Sequence, residues 1–160
     1  MSPFEQSVFN FLGALFSHLA IAFLSAKLPL HLFEKESWWS TSFWFEKEGE
    51  LWNSLFQVKK WKKKLPDAGP WFKGGFSKKK LKNRKPEYLH LFISETRRAE
   101  FAHWLIIFSS PIFYLFNPPW AGTVMVLYFL TTNAPCVLAQ RVNRPFLKRL
   151  LGKQVLMQAA

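Results

Sequence analysis

Glu95-Thr96-Arg97-Arg98-Ala99-Glu100-Phe101-Ala102-His103-Trp104 is the stretch where charged sequence gives way to apolar sequence. Glu100 is the last formally charged side chain before Arg141, and among the forty residues between them His103 is the group that titrates near neutrality. On a helix, residues three or four apart share a face. Thr96, Glu100, His103, Ile107 and Ser110 follow a 4-3-4-3 spacing, which sets four polar side chains in one stripe on an otherwise apolar helix. Arg97 precedes Glu100 by three residues and is placed to pair with it, while Glu95 pairs with Arg98 on the opposite side. A carboxylate followed three positions later by an imidazole at a membrane boundary has what proton transfer needs. An ordinary interfacial helix end has the same pattern.

Outward from that stretch, composition sets the class. The 160 residues have room for one domain. Aromatic residues make up 18%, with eighteen Phe and eight Trp, which points to a chain whose solvent is partly lipid. The formal net charge of +12 would suggest nucleic acid in a soluble protein. Here the basic residues lie outside the apolar runs, so the expected partners are anionic lipid head groups or an anionic co-substrate, and not nucleic acid. Cys136 is the single cysteine and has no partner for an internal disulfide.

The expected fold is an all-α membrane protein with three transmembrane helices, an amphipathic interfacial helix and a basic cytoplasmic loop. Gln6 to Ala26 is a run of 21 residues without a formal charge, long enough for the roughly 20 that a spanning helix needs. Its N-terminus lacks the positive region of a cleavable signal, so a retained helix over about 7–26 is expected. Within it Gly13 and Ser17 form a helix-packing pair, and His18 sits near mid-span. An intramembrane histidine is a functional candidate, and it is equally a neutral side chain hydrogen-bonded to a neighbouring helix. Residues 101–116 and 120–140 are the second and third expected spans. Asn117-Pro118-Pro119 turns the chain between them, because consecutive prolines remove donors and clash with a preceding turn. Pro135 is expected to kink the third span, and Asn143-Arg144-Pro145 reads as a helix stop before a tail over 141–160.

The segment 27–100 carries 17 Lys and Arg against 9 Asp and Glu. Phe45, Trp52, Leu55 and Phe56, with Glu46, Glu48 and Glu50 between them, suit a helix lying in the interface. Five lysines then surround Trp61 at positions 59–64, a second basic cluster runs from Lys78 to Lys85, and Pro66, Gly69, Pro70, Gly74 and Gly75 break regular structure between them. The N-terminal tail and the Asn117-Pro118-Pro119 turn have no Lys or Arg, whereas the other two non-membrane segments hold all 22. By the positive-inside rule the N-terminus lies outside, and the loop and C-terminus lie in the cytoplasm.

Several stretches resemble the glycosyl-4,4'-diaponeurosporenoate acyltransferase family, which attaches a fatty acyl group to the sugar of a glycosylated carotenoid acid. They run from Phe45-Glu46 through Gly49, Trp52, Phe56, Val58 and Lys60-Trp61-Lys62 to Asp67. They resume at Glu95-Thr96, Arg98-Ala99-Glu100 and His103-Trp104, and again at Asn133, Pro135, Gln140-Arg141 and Asn143-Arg144-Pro145. The matches keep their order over roughly two-thirds of the chain; the segment Gly69 to Glu87 fits poorly. The resemblance implies an integral-membrane acyltransferase with a hydrophobic glycosylated acceptor and acyl-CoA as co-substrate. No bound cofactor or metal is implied.

Such a transfer needs a base for the sugar hydroxyl and donors for the oxyanion. His103 is the candidate base, and Glu100 is expected to orient its ring; an interfacial histidine snorkelling beside Trp104 is the alternative. Asn133, Val137, Gln140 and Arg144 share one face of the third span. Antiparallel packing brings Gln140 and Arg144 to the depth of Glu100 and His103, with Arg144 pairing with Glu100 or binding a phosphate or carbonyl oxygen. His103, Glu100, Arg144 and Gln140 are therefore the candidate catalytic set. Among the matched positions, Lys60, Trp61, Lys62, Asp67, Arg98, Asn133, Arg141 and Asn143 are the candidate substrate-binding residues. The lysines at 59–64 serve either an anionic leaflet or the phosphates of coenzyme A. There is no Gly-x-Ser-x-Gly elbow, no Cys and His cluster with metal-ligand spacing, and no glycine-rich phosphate loop, Gly74-Gly75 standing alone. Three helices are a thin scaffold for a two-substrate enzyme, so an oligomer or membrane partner is expected. The competing reading is a non-catalytic lipid- or pigment-binding subunit of a larger membrane complex.

Overall fold

The computed structural model of the chain describes residues 2–67, 69, 76–78 and 80–159; Pro70, the Gly74-Gly75 break and Lys79 lie outside them. The described residues are helical or irregular, without strands. Helix α1 spans Pro3–Lys27. Ser2 caps it through a reciprocal pair: Ser2 Oγ accepts from the Glu5 amide at 3.2 Å, and Glu5 Oε2 accepts from the Ser2 amide at 2.8 Å. Short helices follow, α2 over Glu50–Phe56 and α3 over Val58–Trp61. Helix α4 spans Pro86–Ser109, and α5 spans Pro119–Ala159.

Helices α4 and α5 form the expected antiparallel hairpin, and α1 packs against α4. Pro111 has no amide to continue α4, and Ser110 Oγ donates instead to the Ile107 carbonyl at 2.7 Å. The chain tightens into a 3₁₀ helix over Ser110–Leu115 and reverses at Asn117-Pro118. Asn117 ties that turn to α1: it exchanges hydrogen bonds with Asn10 at 2.8 and 2.9 Å and accepts from Gln6 at 2.6 Å. Gly13 is where α1 crosses the turn, since a Cβ there would lie 3.2 Å from the Phe113 ring.

Among the described residues two helices, not three, are by themselves long and apolar enough to cross a membrane: α1 and α5. The expected span over 101–116 is not a helix of its own, because its apolar part belongs to a helix whose first half is charged and buried, and because Pro111 ends the α-helical geometry. Phe11, Leu15, Phe16 and Leu24 on α1, and Trp120, Val124 and Leu127 on α5, are exposed. Such a contiguous apolar surface is unusual for a protein surrounded by water.

The expected interfacial helix is broken. A 3₁₀ segment covers Trp44–Gly49, and Lys47, Glu48, Gly49 and Gln57 adopt positive φ. Those left-handed residues turn Glu46 inward, where it is fully buried instead of forming part of a solvated acidic face. Nor does Asn143-Arg144-Pro145 stop the helix: α5 runs through Pro135 and Pro145, so the expected tail is helical to Ala159. Pro145 frees the carbonyl of Arg141, and Gly49 packs onto it. A Cβ at Gly49 would lie 2.8 Å from that oxygen, and its φ of +84° independently favours glycine.

Three apolar clusters surround the middle of the molecule. Ala14, Ile106, Phe113, Met125 and Phe129 join α1, α4 and α5 at the end with the Asn117 turn. Leu89, Phe92, Ile93 and Leu147 close the opposite end. Val58, Ala139 and Val142 seat the loop helices on α5. Between these clusters lie the polar residues singled out from the sequence.

Candidate active site

The polar middle divides into an ion network and a cavity. Glu100, fully buried on α4, accepts from Arg141 Nε at 2.7 Å and from the Trp104 indole at 3.3 Å, and it pairs with Arg144. Arg141 also pairs with Glu46 and donates to the Trp39 carbonyl at 2.7 Å. Arg144 donates to the Ser40 carbonyl at 2.6 Å and to Thr96 Oγ1 at 3.2 Å. Two carboxylates therefore balance two guanidiniums inside the protein, and the Trp39 and Ser40 carbonyls and the Thr96 hydroxyl accept from the other nitrogens. This network pins the 39–46 segment to the α4–α5 hairpin.

That arrangement corrects the expected pairing of Glu100 with His103. The two share a helix face, but guanidinium forks form stronger charge-assisted bonds with the carboxylate than an imidazole does. Glu100, Arg141 and Arg144 are absent from the cavity wall. Arg97 does not reach Glu100 either; it donates to the Phe33 and Glu34 carbonyls at 3.0 and 2.6 Å and approaches Glu36 at 3.6 Å. The Glu95–Arg98 pair has its expected form at 2.6 Å.

His103 is held by a different partner. Its Nδ1 lies 2.9 Å from Asn133 Oδ1, and Asn133 Nδ2 lies 3.1 Å from His18 Nε2. Asn133 Nδ2 also donates to the Phe129 carbonyl at 2.8 Å. A carbonyl only accepts, so the Asn133 amide has its NH₂ on that side and its oxygen toward His103. His103 must then carry its proton on Nδ1, which leaves the Nε2 lone pair for a substrate. His18 obeys the same logic: its Nδ1 faces the Ala14 carbonyl at 2.8 Å, so its Nε2 accepts from Asn133. Three helices thus contribute one residue each to a chain His18–Asn133–His103. His18 is here the histidine bonded to a neighbouring helix.

A cavity of about 170 Å³ opens beside His103, between the C-terminal part of α1, the centre of α4, α5 and the basic segment. Small side chains create the space, with Ala22 and Ala26 facing Ala99, Ala102 and Ala139. Gln140, Asn143, Arg98, Lys62 and Asp67 line it, as the sequence reading grouped them; Lys78, Glu95 and Ser25 line it too and were missed. Lys78 was hidden in a lysine-rich run and Ser25 in an apolar one. Lys62 donates to Asn143 Oδ1, and burial followed by the nearby charges of Lys59 and Lys63 lowers its pKa. Lys78 donates to the Phe76 carbonyl at 3.0 Å and lies 3.9 Å from Glu95. Burial lowers its pKa as well, against the opposing pull of Glu95 and Asp67. Asp67 accepts from Ser77 Oγ and from the Lys78 amide, both at 2.9 Å, and so holds Lys78 at the cavity wall.

Lys60 is exposed and away from the cavity, and Trp61 packs on Val58, Ala139 and Val142 with its indole donating to the Phe56 carbonyl at 2.7 Å. No group of three or more His, Cys, Asp or Glu side chains among the described residues is placed to share a metal ion.

Residues 29–153 match the family described as glycosyl-4,4'-diaponeurosporenoate acyltransferase. A protein of that name from Staphylococcus haemolyticus is 34% identical over 130 residues, which is 81% of this chain and 75% of the relative. Another of the same name, from Staphylococcus aureus strain RF122, is 34% identical over 133 residues, covering 83% of this chain and 80% of the relative. No solved structure matches.

Proposed function

The chain belongs to the glycosyl-4,4'-diaponeurosporenoate acyltransferase family, and on that premise we propose that it moves a fatty acyl group from an acyl thioester to a sugar hydroxyl of a glycosylated carotenoid or similar glycolipid. One observation carries the chemical assignment. His103 is a half-buried imidazole whose proton is directed to Nδ1 by Asn133, beside a cavity lined in part by polar side chains. A neutral imidazole with a free Nε2 is the form a general base requires.

In this reading Nε2 takes the proton of the sugar hydroxyl as its oxygen attacks the thioester carbonyl carbon. The new C–O bond forms and the carbonyl electrons move to oxygen. Collapse of that oxyanion breaks the C–S bond, and the imidazolium returns its proton to the departing thiolate. Lys62, Lys78 and Arg98 supply positive charge near the developing oxyanion. Asn133 orients the base, the role first assigned to Glu100. Glu100, Arg141 and Arg144 hold the scaffold instead.

The membrane placement follows the same lines. Helices α1 and the first part of α5 cross the bilayer, and the chain returns between them through the apolar second half of α4 and the Ser110–Leu115 turns to Asn117 beside the N-terminal end of α1, so that the N-terminus and this turn lie outside and the basic segment and C-terminus are cytoplasmic. The exposed apolar faces of both helices and the confinement of all 22 Lys and Arg to one side support it. Exposed Trp38 and Trp44 suit the interface. Lys59, Lys60, Lys63 and Lys64 are exposed where acyl-CoA would approach from the cytoplasm. The test is to supply the purified protein in nanodiscs with acyl-CoA and glycosyl diaponeurosporenoate, and to look for the acylated glycoside by mass spectrometry. Failure to acylate it, with acyl-CoA or with an acyl carrier thioester, would overturn the reading.

A further inference from the structure

We propose that the cavity beside His103 is the subsite for the acceptor's sugar ring, with Gln140 and Ser25 as the residues that recognise its hydroxyls, and that the donor's phosphates bind elsewhere. The inference rests on the acyl-transfer reading for its choice of substrate, and its own support is a pattern of unmet hydrogen bonds. Gln140 Oε1 on α5 and Ser25 Oγ on α1 are buried without a hydrogen-bond partner, and both residues line the cavity. Ser25 is 4% exposed and Gln140 9%. An orphaned buried oxygen is costly enough that each one calls for an explanation. Here two occur in opposite walls of one space. Serine χ1 and the broad χ3 of glutamine are the torsions that turn them toward an occupant.

The orphans also specify the occupant's chemistry. A carboxamide oxygen needs a donor, and a serine hydroxyl takes either a donor or an acceptor. Phosphate oxygens only accept at neutral pH, so a phosphate leaves Gln140 Oε1 unsatisfied. A ring bearing several hydroxyls satisfies both. Two of the three cations are turned toward one carboxylate, Lys78 lying 3.9 Å from Glu95 and Arg98 donating to it at 2.6 Å. Size agrees too. The cavity's 170 Å³ is well below the roughly 300–1,000 Å³ of pockets for drug-sized ligands, so it suits one ring and not a nucleotide. His103 in the wall then meets a hydroxyl of the ring it is to deprotonate.

The test is equilibrium binding without acyl donor, so that it does not depend on the catalytic role of His103. Glycosyl diaponeurosporenoate and its sugar-free acid are titrated into nanodisc-embedded protein, with quenching of tryptophan fluorescence as the readout. Gln140→Leu should weaken binding of the glycoside about tenfold, the worth of one hydrogen bond at a desolvated site. Binding of the sugar-free acid and the KM for acyl-CoA should not change. Ser25→Ala should weaken the glycoside alone, by a smaller factor. The thermal midpoint of ligand-free Gln140→Leu should equal or exceed wild type, because the substitution removes an unsatisfied oxygen. Gln140→Met, which keeps the length of the side chain, serves if the leucine variant does not fold. Equal losses for glycoside and acid, no loss for either, or a raised KM for acyl-CoA with glycoside binding intact would overturn the assignment. A sugar-specific loss in a protein that transfers no acyl group would leave the subsite standing and sink the acyltransferase reading instead.

Discussion

Replacing Glu100 by Gln should damage the fold far more than the chemistry. Glu100 is fully buried and answers three donors: Arg141 Nε at 2.7 Å, the Trp104 indole at 3.3 Å and the Arg144 guanidinium. Glutamine keeps one acceptor oxygen but turns an NH₂ toward a guanidinium, and Glu46 alone then faces two buried arginines. Removing one partner from a buried ion pair costs about 3–5 kcal/mol, a large share of the about 5–15 kcal/mol that holds a typical domain together. At about 2–4 °C per kcal/mol for a chain of this length, the thermal midpoint should fall by about 6–20 °C. Glu48→Gln is the control. It makes the same charge change in an exposed pair with Arg149, where pairs contribute about 1 kcal/mol or less. Both variants are followed by tryptophan fluorescence on heating in nanodiscs, with turnover measured on the folded fraction at a temperature where each is native. Folded Glu100→Gln should keep kcat within a few-fold of wild type. Its effect should add to that of His103→Ala, since His103 bonds Asn133 and not Glu100. A Glu100→Gln protein with an unshifted midpoint and the turnover of a base-less enzyme would refute this assignment and restore Glu100 to the site.

Three further outcomes follow from the same geometry. Gly49→Ala should lower stability by about 2 kcal/mol or more, because it forces a side chain into a left-handed backbone and against the Arg141 carbonyl; an unchanged melting curve would mean that α5 is not packed there. Asn133→Leu removes the group that directs the His103 proton to Nδ1, so kcat should fall at least about tenfold but by less than on loss of the base itself, with the KM for acyl-CoA unchanged. Equal effects on kcat and that KM would argue for general disorder of the site. Single cysteines at Lys82 and Gln158, in a Cys136→Ser background, should be shielded from an impermeant thiol reagent in intact cells, while one at Ser2 should react; labelling at Lys82 would reverse the proposed orientation.

What could be read from the sequence was local. The 21 uncharged residues of α1 and the prolines between α4 and α5 are rules of a few residues' reach, and both elements stand in the fold. The stripe of Thr96, Glu100, His103 and Ser110 follows from helical periodicity alone. Partner choice across the chain followed only for Arg144, whose pairing with Glu100 was one of its expected roles. Glu46 lies 95 positions from Arg141, and nothing local distinguishes it from the solvated acids Glu48 and Glu50; the left-handed turn at Lys47–Gly49 does that. Pro145 looked like a terminator because a proline deprives the helix of a bond. The loss is local, whereas Arg144 and Arg141 on the same turn anchor buried pairs that need the helix to continue. The expected second span, over 101–116, is not a helix of its own for a related reason: counting apolar residues cannot show that Pro111 tightens the chain into a 3₁₀ turn. Of the residues the sequence singled out, His103, Gln140, Asn143, Lys62, Asp67 and Arg98 line the cavity, whereas Glu100, Arg141, Arg144, Asn133, Lys60 and Trp61 do not. The sequence could not decide which side chain would take Glu100. That depended on two arginines reaching the carboxylate.

His103 as the base is the assignment on which the chemistry depends, and its most direct measurement is the turnover of His103→Ala with acyl-CoA and glycosyl diaponeurosporenoate, alongside its melting curve. Turnover should fall by about 10²–10⁴-fold, the usual worth of a positioned base, while the thermal midpoint stays close to wild type because the ion network is untouched. A folded His103→Ala protein that acylates the glycoside at a near-normal rate would contradict it.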